Sequence, residues 1–238
     1  MDFNRACLSA TAINTAINAA VEAAAAREPE SNVRQYLGVS SIGSECARKV
    51  QYDWMVDSKH ALRIRDIFRR GHLFEVLSKK HLVAAGFKFA PAIALAFSTV
   101  GGLLRGHADG IIIAGPDLPG TYLTYPLLWE HKALNAKGWR ALERDGLEKA
   151  YPQYAAQVWL YQAYLDITNP ALFTVLNADT CERLHFLVPF NAERAQLWSD
   201  RAATIIEATR AGELLPRFTD DPQDRRCRVC GHNERCWR

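Results

Sequence analysis

RGHADGIIIAGPDLPGTYLTYPLLWEHKAL, residues 105–134, is the stretch on which the reading of the whole chain turns. Asp109 stands at the head of an apolar run, Gly110 to Ala114. Gly115-Pro116 and Pro119-Gly120 punctuate the next few residues, and a second run, Tyr122 to Leu128, ends in Trp129-Glu130-His131-Lys132. Two short apolar runs separated by Gly/Pro turns read as paired strands. Residues two apart on a strand share a face, so Glu130 and Lys132 point the same way. Asp109, on the neighbouring strand, is placed to join them. Two carboxylates and an ammonium then meet at one end of a strand pair.

Such a trio suits metal-assisted attack of water on a phosphodiester. Paired carboxylates bind a hard divalent cation through oxygen. The cation lowers the pKa of its bound water and neutralises charge developing on the phosphate. A lysine beside it orients or deprotonates that water, or stabilises the charged transition state. The plainer alternative is a hairpin that ends in a surface salt bridge, because Glu-x-Lys is common by chance.

The surroundings bear on that choice. A chain of 238 residues is long enough for one domain with a sizeable core, and a net charge of +3 neither demands nor excludes nucleic acid. No apolar run approaches the roughly 20 residues that span a bilayer. The N-terminal stretch lacks a basic leader followed by an apolar core, which points to a cytoplasmic protein. Six cysteines in such a chain suggest metal ligation or redox chemistry before a disulfide framework.

Residues 8–26 are Ala-rich, with Ile13, Ile17 and Val21 at helical spacing, and residues 27–32 read as a linker. From Val39 to Trp54, Ser-Ser-x-Gly-Ser offers caps for a helix carrying Cys46. Arg63 to Gly86 reads as an amphipathic helix closed by glycine, in which Glu75 lies among Phe74, Val76 and Leu77 and is spaced to pair with Lys79. Ala92 to Thr99 is a strand candidate. A helix begins near Lys137, and another, Tyr151 to Ile167, opens with Pro152 in its first turn. On that second helix Gln153, Tyr154, Gln157, Tyr161 and Tyr164 form one stripe. Ala171–Ala178 and Leu184–Phe190 read as strands, and Asn191–Ala211 as a long helix before Gly212. Cys7 and Cys181 stand outside any metal spacing and read as free thiols.

The tail, Cys227-Arg-Val-Cys230-Gly-His-Asn-Glu-Arg-Cys236, packs three cysteines into a stretch with no core of its own, and a metal would order it. Two residues compete as fourth ligand. His232 would complete a local zinc knuckle, and Cys46 would complete a four-cysteine site suited to iron–sulfur chemistry.

The Asp109 … Glu130-x-Lys132 arrangement resembles the PD-(D/E)xK nuclease motif, and more narrowly the RecB-type exonucleases that include the CRISPR-associated iron–sulfur exonucleases and their phage relatives. The resemblance covers roughly Val39 to the C-terminus. It implies a restriction-endonuclease-like α/β (α+β) core, a mixed sheet flanked by helices, followed by a cysteine-rich segment. The expected division is an N-terminal helix and linker, 1–38, and a nuclease domain, 39–238. The resemblance also implies that Asp109, Glu130 and the backbone carbonyl of His131 bind Mg2+ or Mn2+ and that Lys132 positions or activates the water.

Where the family has Gly-x-x-x-His, this chain has Gly71-His-Leu-Phe-Glu75, so Glu75 or neighbouring His72 completes the metal shell. Gln157-x-x-x-Tyr161 matches the family's Gln-x-x-x-Tyr motif, implying that Gln157 and Tyr161, with Tyr154 beside them, hold the DNA strand. Cys46, Cys227, Cys230 and Cys236 match the pattern that holds a [4Fe–4S] cluster, with Zn2+ at the C-terminal cysteines as the alternative. The expected function is metal-dependent exonuclease action on single-stranded DNA or duplex ends, in recombination, repair or CRISPR-type processing. The alternative is a nuclease-fold module that grips DNA without cutting. No Gly-x4-Gly-Lys-Ser/Thr loop is present, so a helicase or recombination partner would be a separate chain.

Overall fold

The computed structural model describes residues 6–27, 35–56 and 61–238. By contacts the chain divides into two units, the described residues within 1–32 and 59–70 and those within 33–58 and 71–238. The first unit holds α1 (Ala6–Ala25) and the opening turns of α4 (Leu62–Ala84), and there Arg65 Nη2 donates to the carbonyl of Ala25 at 2.6 Å. The second unit holds every candidate site residue.

Its frame is a five-stranded sheet. β7 (Ala171–Asn177, ALFTVLN) is buried at every position, the pattern of a strand covered on both faces. β8 (Arg183–Val188) runs antiparallel along one side of it. β6 (Leu127–Leu134) runs parallel along the other, with Glu130 opposite Phe173 and Lys132 opposite Val175. β5 (Gly110–Ala114) and β2 (Lys88–Phe89) complete the order β2-β5-β6-β7-β8. The expected mixed sheet flanked by helices is present. A separate three-stranded sheet joins β1 (Leu37–Gly38), β4 (Leu104–His107) and β3 (Ala96–Thr99).

Two expected strands are shorter than the apolar runs that suggest them. Ala92–Leu95 is a 3-10 helix, and only Ala96–Thr99 is extended. Pro91, which has no N–H to offer a ladder, starts that turn, and its carbonyl accepts from Ala94 at 3.0 Å. Those four extended residues pair with β4 in the small sheet and do not join the strands that carry the acidic residues. The run from Tyr122 likewise becomes a strand only at Leu127, directly after Pro126.

The helices follow their caps. Asn135 accepts from the N–H of Gly138 at 2.9 Å and opens α5 (Ala136–Asp145), which ends at Gly146 with φ +74°. α6 (Leu147–Ala150) leads into α7 (Pro152–Tyr164), which ends before the expected Ile167. Asn191 caps α8 (Ala192–Arg210) by accepting from Arg194 N–H at 2.9 Å. α7 is buried continuously from Ala155 to Gln162, so its Gln/Tyr stripe is not the surface stripe that the periodicity suggests.

The core divides about the sheet. Leu128 and Leu134 of β6 pack with Phe173 and Val175 of β7 against Val158, Leu160 and Tyr161 of α7. Leu127 and Trp129, facing the other way, pack with Ile112, Leu172 and Phe87. Before the sheet, α2 (Val39–Ile42) and α3 (Ala47–Met55) follow β1, and the chain ends in the short helices α9 (Arg225–Arg228) and α10 (Asn233–Trp237). No helix among the described residues is long and apolar enough to cross a membrane.

Candidate active site

β5 and β6 are paired from Ile112–Leu127 to Gly110–Trp129, and there the ladder stops. Asp109 lies one residue before β5 and Glu130 one residue beyond the last pair, so both stand where the strands part. Gly110 allows the closeness: a Cβ there would lie about 2.7 Å from the Phe89 ring and 3.0 Å from the Trp129 ring. Beyond the last pair, Asp109 Oδ2 accepts from the backbone N–H of His131 at 2.8 Å. A side chain thus takes the hydrogen bond that a continuing strand would have taken, which aims the carboxylate at β6.

Glu130 is fully buried. Its Oε1 accepts from Lys132 Nζ, while its Oε2 has no hydrogen-bond partner. Burial first, then the charge of Asp109, pushes the Glu130 carboxyl up to about 8, against the pull of Lys132. Burial works to lower the Lys132 ammonium, but Glu130 and then Asp109 outweigh it and hold the amine above its ordinary value. The Lys132 ammonium also lies 5.3 Å from the ring centre of Tyr154 on α7.

Glu75, on α4, is the third carboxylate. Its pKa is raised by loss of hydration first and by Asp109 second, and Glu130 in turn feels Glu75. The expected pairing of Glu75 with Lys79 does not form. His72 Nδ1 approaches Glu75 Oε2 at 3.3 Å instead, and Lys79 donates to the backbone carbonyl of Asp109 at 3.3 Å. The His72 side chain is 83% exposed and that of Glu75 26%, so it is the glutamate that turns toward the other acids. His131, whose carbonyl is an expected ligand, points its ring to the opposite face of β6, where Nε2 shares a 3.0 Å hydrogen bond with Ser78 Oγ. Burial, then Lys132, drive that imidazole down to about 3, so the ring is neutral.

Gln157 and Tyr161 lie beneath this group and not at the surface. Gln157 Nε2 donates to Tyr161 Oη at 3.3 Å, and both residues are buried. Tyr161 also lines a cavity of about 510 Å³ with Phe97, Arg105 and His107. Burial, then Glu130, hold the Tyr161 hydroxyl above its ordinary value. Tyr154, partly exposed and stacked on Tyr151 with ring centres 5.1 Å apart, is the member of the expected set nearest to solvent.

The donor set fits a hard divalent cation: three carboxylates repelling one another, one with an orphaned buried oxygen. Among the described residues, no group of three or more His, Cys, Asp or Glu is yet drawn to metal-holding distance. Glu130 shares its other oxygen with Lys132, and Asp109 one of its own with His131.

A second chemical cluster lies elsewhere. Cys46, Cys227, Cys230 and Cys236 all line one cavity of about 720 Å³, together with Tyr52, Asp53 and His232. Cys46 stands at the N-cap of α3, not within the helix, and its Sγ accepts from Lys49 N–H at 3.4 Å. Loss of hydration, then Asp224, then the other three thiols push the Cys227 thiol up. His232 bonds Asp53 Oδ1 through its Nε2 at 2.8 Å. Cys181 is a free, exposed thiol, and the side chain of Cys7 lies outside the described residues.

Sequence reading missed what holds this cavity together. Arg201 of α8 donates to the carbonyls of Ile42 at 3.1 Å and Ser44 at 2.6 Å, fixing the loop that presents Cys46. Gln51 of α3, fully buried, donates to the Glu213 carbonyl at 2.9 Å and accepts from Leu215 N–H at 2.8 Å, docking the segment that leads into the tail. An arginine on a long helix and a glutamine on a short one carry no signal in sequence, because their partners are backbone groups 159 and 162 residues away.

No protein-family model and no curated protein sequence matches this chain. Solved structures do. An alkaline exonuclease, LHK-Exo, from Laribacter hongkongensis superposes with a TM-score of 0.53 at 12% identity, over 74% of this chain and 89% of that one. The same enzyme in complex with dAMP gives a TM-score of 0.50 at 12% identity and the same coverage. At that identity the likeness is one of fold.

Proposed function

We propose that this chain is a metal-dependent deoxyribonuclease that removes nucleotides from DNA ends, acting on single strands or duplex termini. The observation that carries the reading is the buried, unpartnered Oε2 of Glu130 beside Asp109, Glu75 and Lys132 at the fork of β5 and β6. The shared fold with an alkaline exonuclease supports it. Asp109, Glu130, Glu75 and the carbonyl of His131 would hold Mg2+ or Mn2+, which on binding supplies an acidified water and charge neutralisation at the phosphate.

This chain's own groups do the rest. Lys132, kept as an ammonium by Glu130 and Asp109, donates hydrogen bonds to the attacking water or to a non-bridging phosphate oxygen. As an ammonium it orients the water and stabilises developing charge. Hydrolysis adds water across one P–O bond, leaving a phosphate on one fragment and a hydroxyl on the other. Tyr154, at the edge of the group, offers a ring on which a base can stack.

The four cysteines are proposed to hold a [4Fe–4S] cluster with a structural role, tying the tail to α3. Their common cavity supports that set, because Cys46 brings a fourth thiol to the three of the tail.

The decisive experiment is digestion of end-labelled linear single-stranded DNA beside a closed circle, with Mn2+ and with EDTA. Metal-dependent loss of the linear strand alone is expected. Cutting of the circle would make the same site an endonuclease. Absence of any cleavage by protein with full iron content would overturn the reading in favour of a non-cleaving DNA-binding module.

A further inference from the structure

From Gly71 onward, polar contacts near the site help to hold α4 to the sheet. Leu73 and Val76 are 69% and 65% exposed, and among the described residues of α4 the one that is fully buried is a serine, Ser78. A helix usually seats itself through an apolar stripe. Leu82 packs on the cluster around Phe87 and Leu127, and nearer the site two polar contacts connect α4 to the strands: Ser78 Oγ with His131 Nε2 at 3.0 Å, and Lys79 Nζ with the Asp109 carbonyl at 3.3 Å. Lys79 also lies over the Phe89 ring at 4.8 Å.

His131 is the joint in this arrangement. Its backbone N–H holds Asp109, its chain neighbours are Glu130 and Lys132, and its ring reaches the helix that carries Glu75. Glu75 lies three residues before Ser78, on the same side of the helix within one turn. Rotation or withdrawal of α4 would therefore carry Glu75 away from Asp109 and Glu130.

We propose that Ser78 and the His131 side chain form a positioning pair that locks α4 onto β6 and thereby sets Glu75 as the third carboxylate of the cation site. This rests on the metal-dependent reading of the fork. The pair touches neither cation nor substrate and acts through Glu75. Outer-shell partners of this kind are commonly worth 10- to 100-fold in metal affinity.

The test is Mn2+ binding to the whole protein by calorimetry and by electron paramagnetic resonance of free Mn2+, without DNA. Ser78→Ala and His131→Leu are each expected to weaken Mn2+ binding by about tenfold. His131→Gln, whose amide can reach Ser78 from nearly the same place, is expected to restore most of it. In a Glu75→Gln background Ser78→Ala should have no further effect, because the residue through which it acts is already neutral. That non-additivity is what a general loosening of the fold would not produce. Should Ser78→Ala fold poorly, the contrast between His131→Leu and His131→Gln gives the same answer. An unchanged affinity in Ser78→Ala, or an equal tenfold loss in the Glu75→Gln background, would overturn the proposal while leaving the metal site standing. Wild-type protein that binds no Mn2+ would overturn the metal-site reading and this one with it.

Discussion

The carboxylate fork and the cysteine cavity are assembled on opposite principles. Asp109 and Glu130 are 21 residues apart and arrive together because the β5–β6 ladder brings them together. Cys46 and Cys227 are 181 residues apart, and no ladder links them. Arg201, Gln51 and the His232–Asp53 bond do that work, one backbone carbonyl or side chain at a time. A site on paired strands inherits the rigidity of the sheet. A site made by docking loops depends on each polar tie, and on any metal the four thiols bind. Damage to the first should therefore appear in chemistry, and damage to the second in stability.

Lys132→Ala is the largest test of that division. On the proposed reading it removes the group that orients water and opposes negative charge, so cleavage should fall on the order of a thousandfold. Iron content and melting temperature should hardly move. Equal loss of all three would mean that the two regions are not separable.

A smaller effect comes from pH. A carboxyl must shed its proton to ligate, and the Glu130 carboxyl is raised to about 8, so below that value a proton competes with the cation. Mn2+ affinity should rise with pH by up to about tenfold per unit, and level off above about 8. A flat profile between pH 6 and 8 would show that Glu130 is ionised throughout and that Lys132 alone neutralises it.

The smallest expected effect on chemistry, though not on the fold, is that of Cys46→Ala. Iron should be lost, and the melting temperature should fall by about 5 °C, equivalent to roughly 2 kcal/mol for a chain of this size. Cleavage per folded molecule, measured at low temperature, should stay within about threefold of wild type. A thousandfold loss with the fold intact would place the cysteine cavity in the chemistry.

Much of the fork was legible in the sequence because its determinants are local. Glu130 and Lys132 share a face by strand alternation, and Asp109 sits at the head of the next run. Gly86, Gly146 and Gly212 stop their helices with positive φ, and Asn135 and Asn191 start theirs. Proline at 91 and 126 trimmed two strands that apolar content alone would have extended, since hydrophobicity sets burial and not ladder donors. The α7 stripe misled for a related reason. Periodicity reports which residues share a helix face, but not whether the opposite face is covered too. α2, α8 and β6 all adjoin the helix, and Gln157 and Tyr161 are buried.

By itself, the sequence singled out the candidate groups: the acidic pair and lysine at the fork, the glutamate on the preceding helix, and the four spaced cysteines. Local rules of alternation, capping and spacing act within a turn or a hairpin, and those suffice to name such groups. Only the tertiary structure decided their environment. It left one oxygen of Glu130 buried and unpaired, turned Glu75 inward and His72 out, and engaged His232 with Asp53. It also seated α4 through Ser78 on His131. Burial and the distance between charges depend on segments far apart in the chain, and these set pKa and affinity.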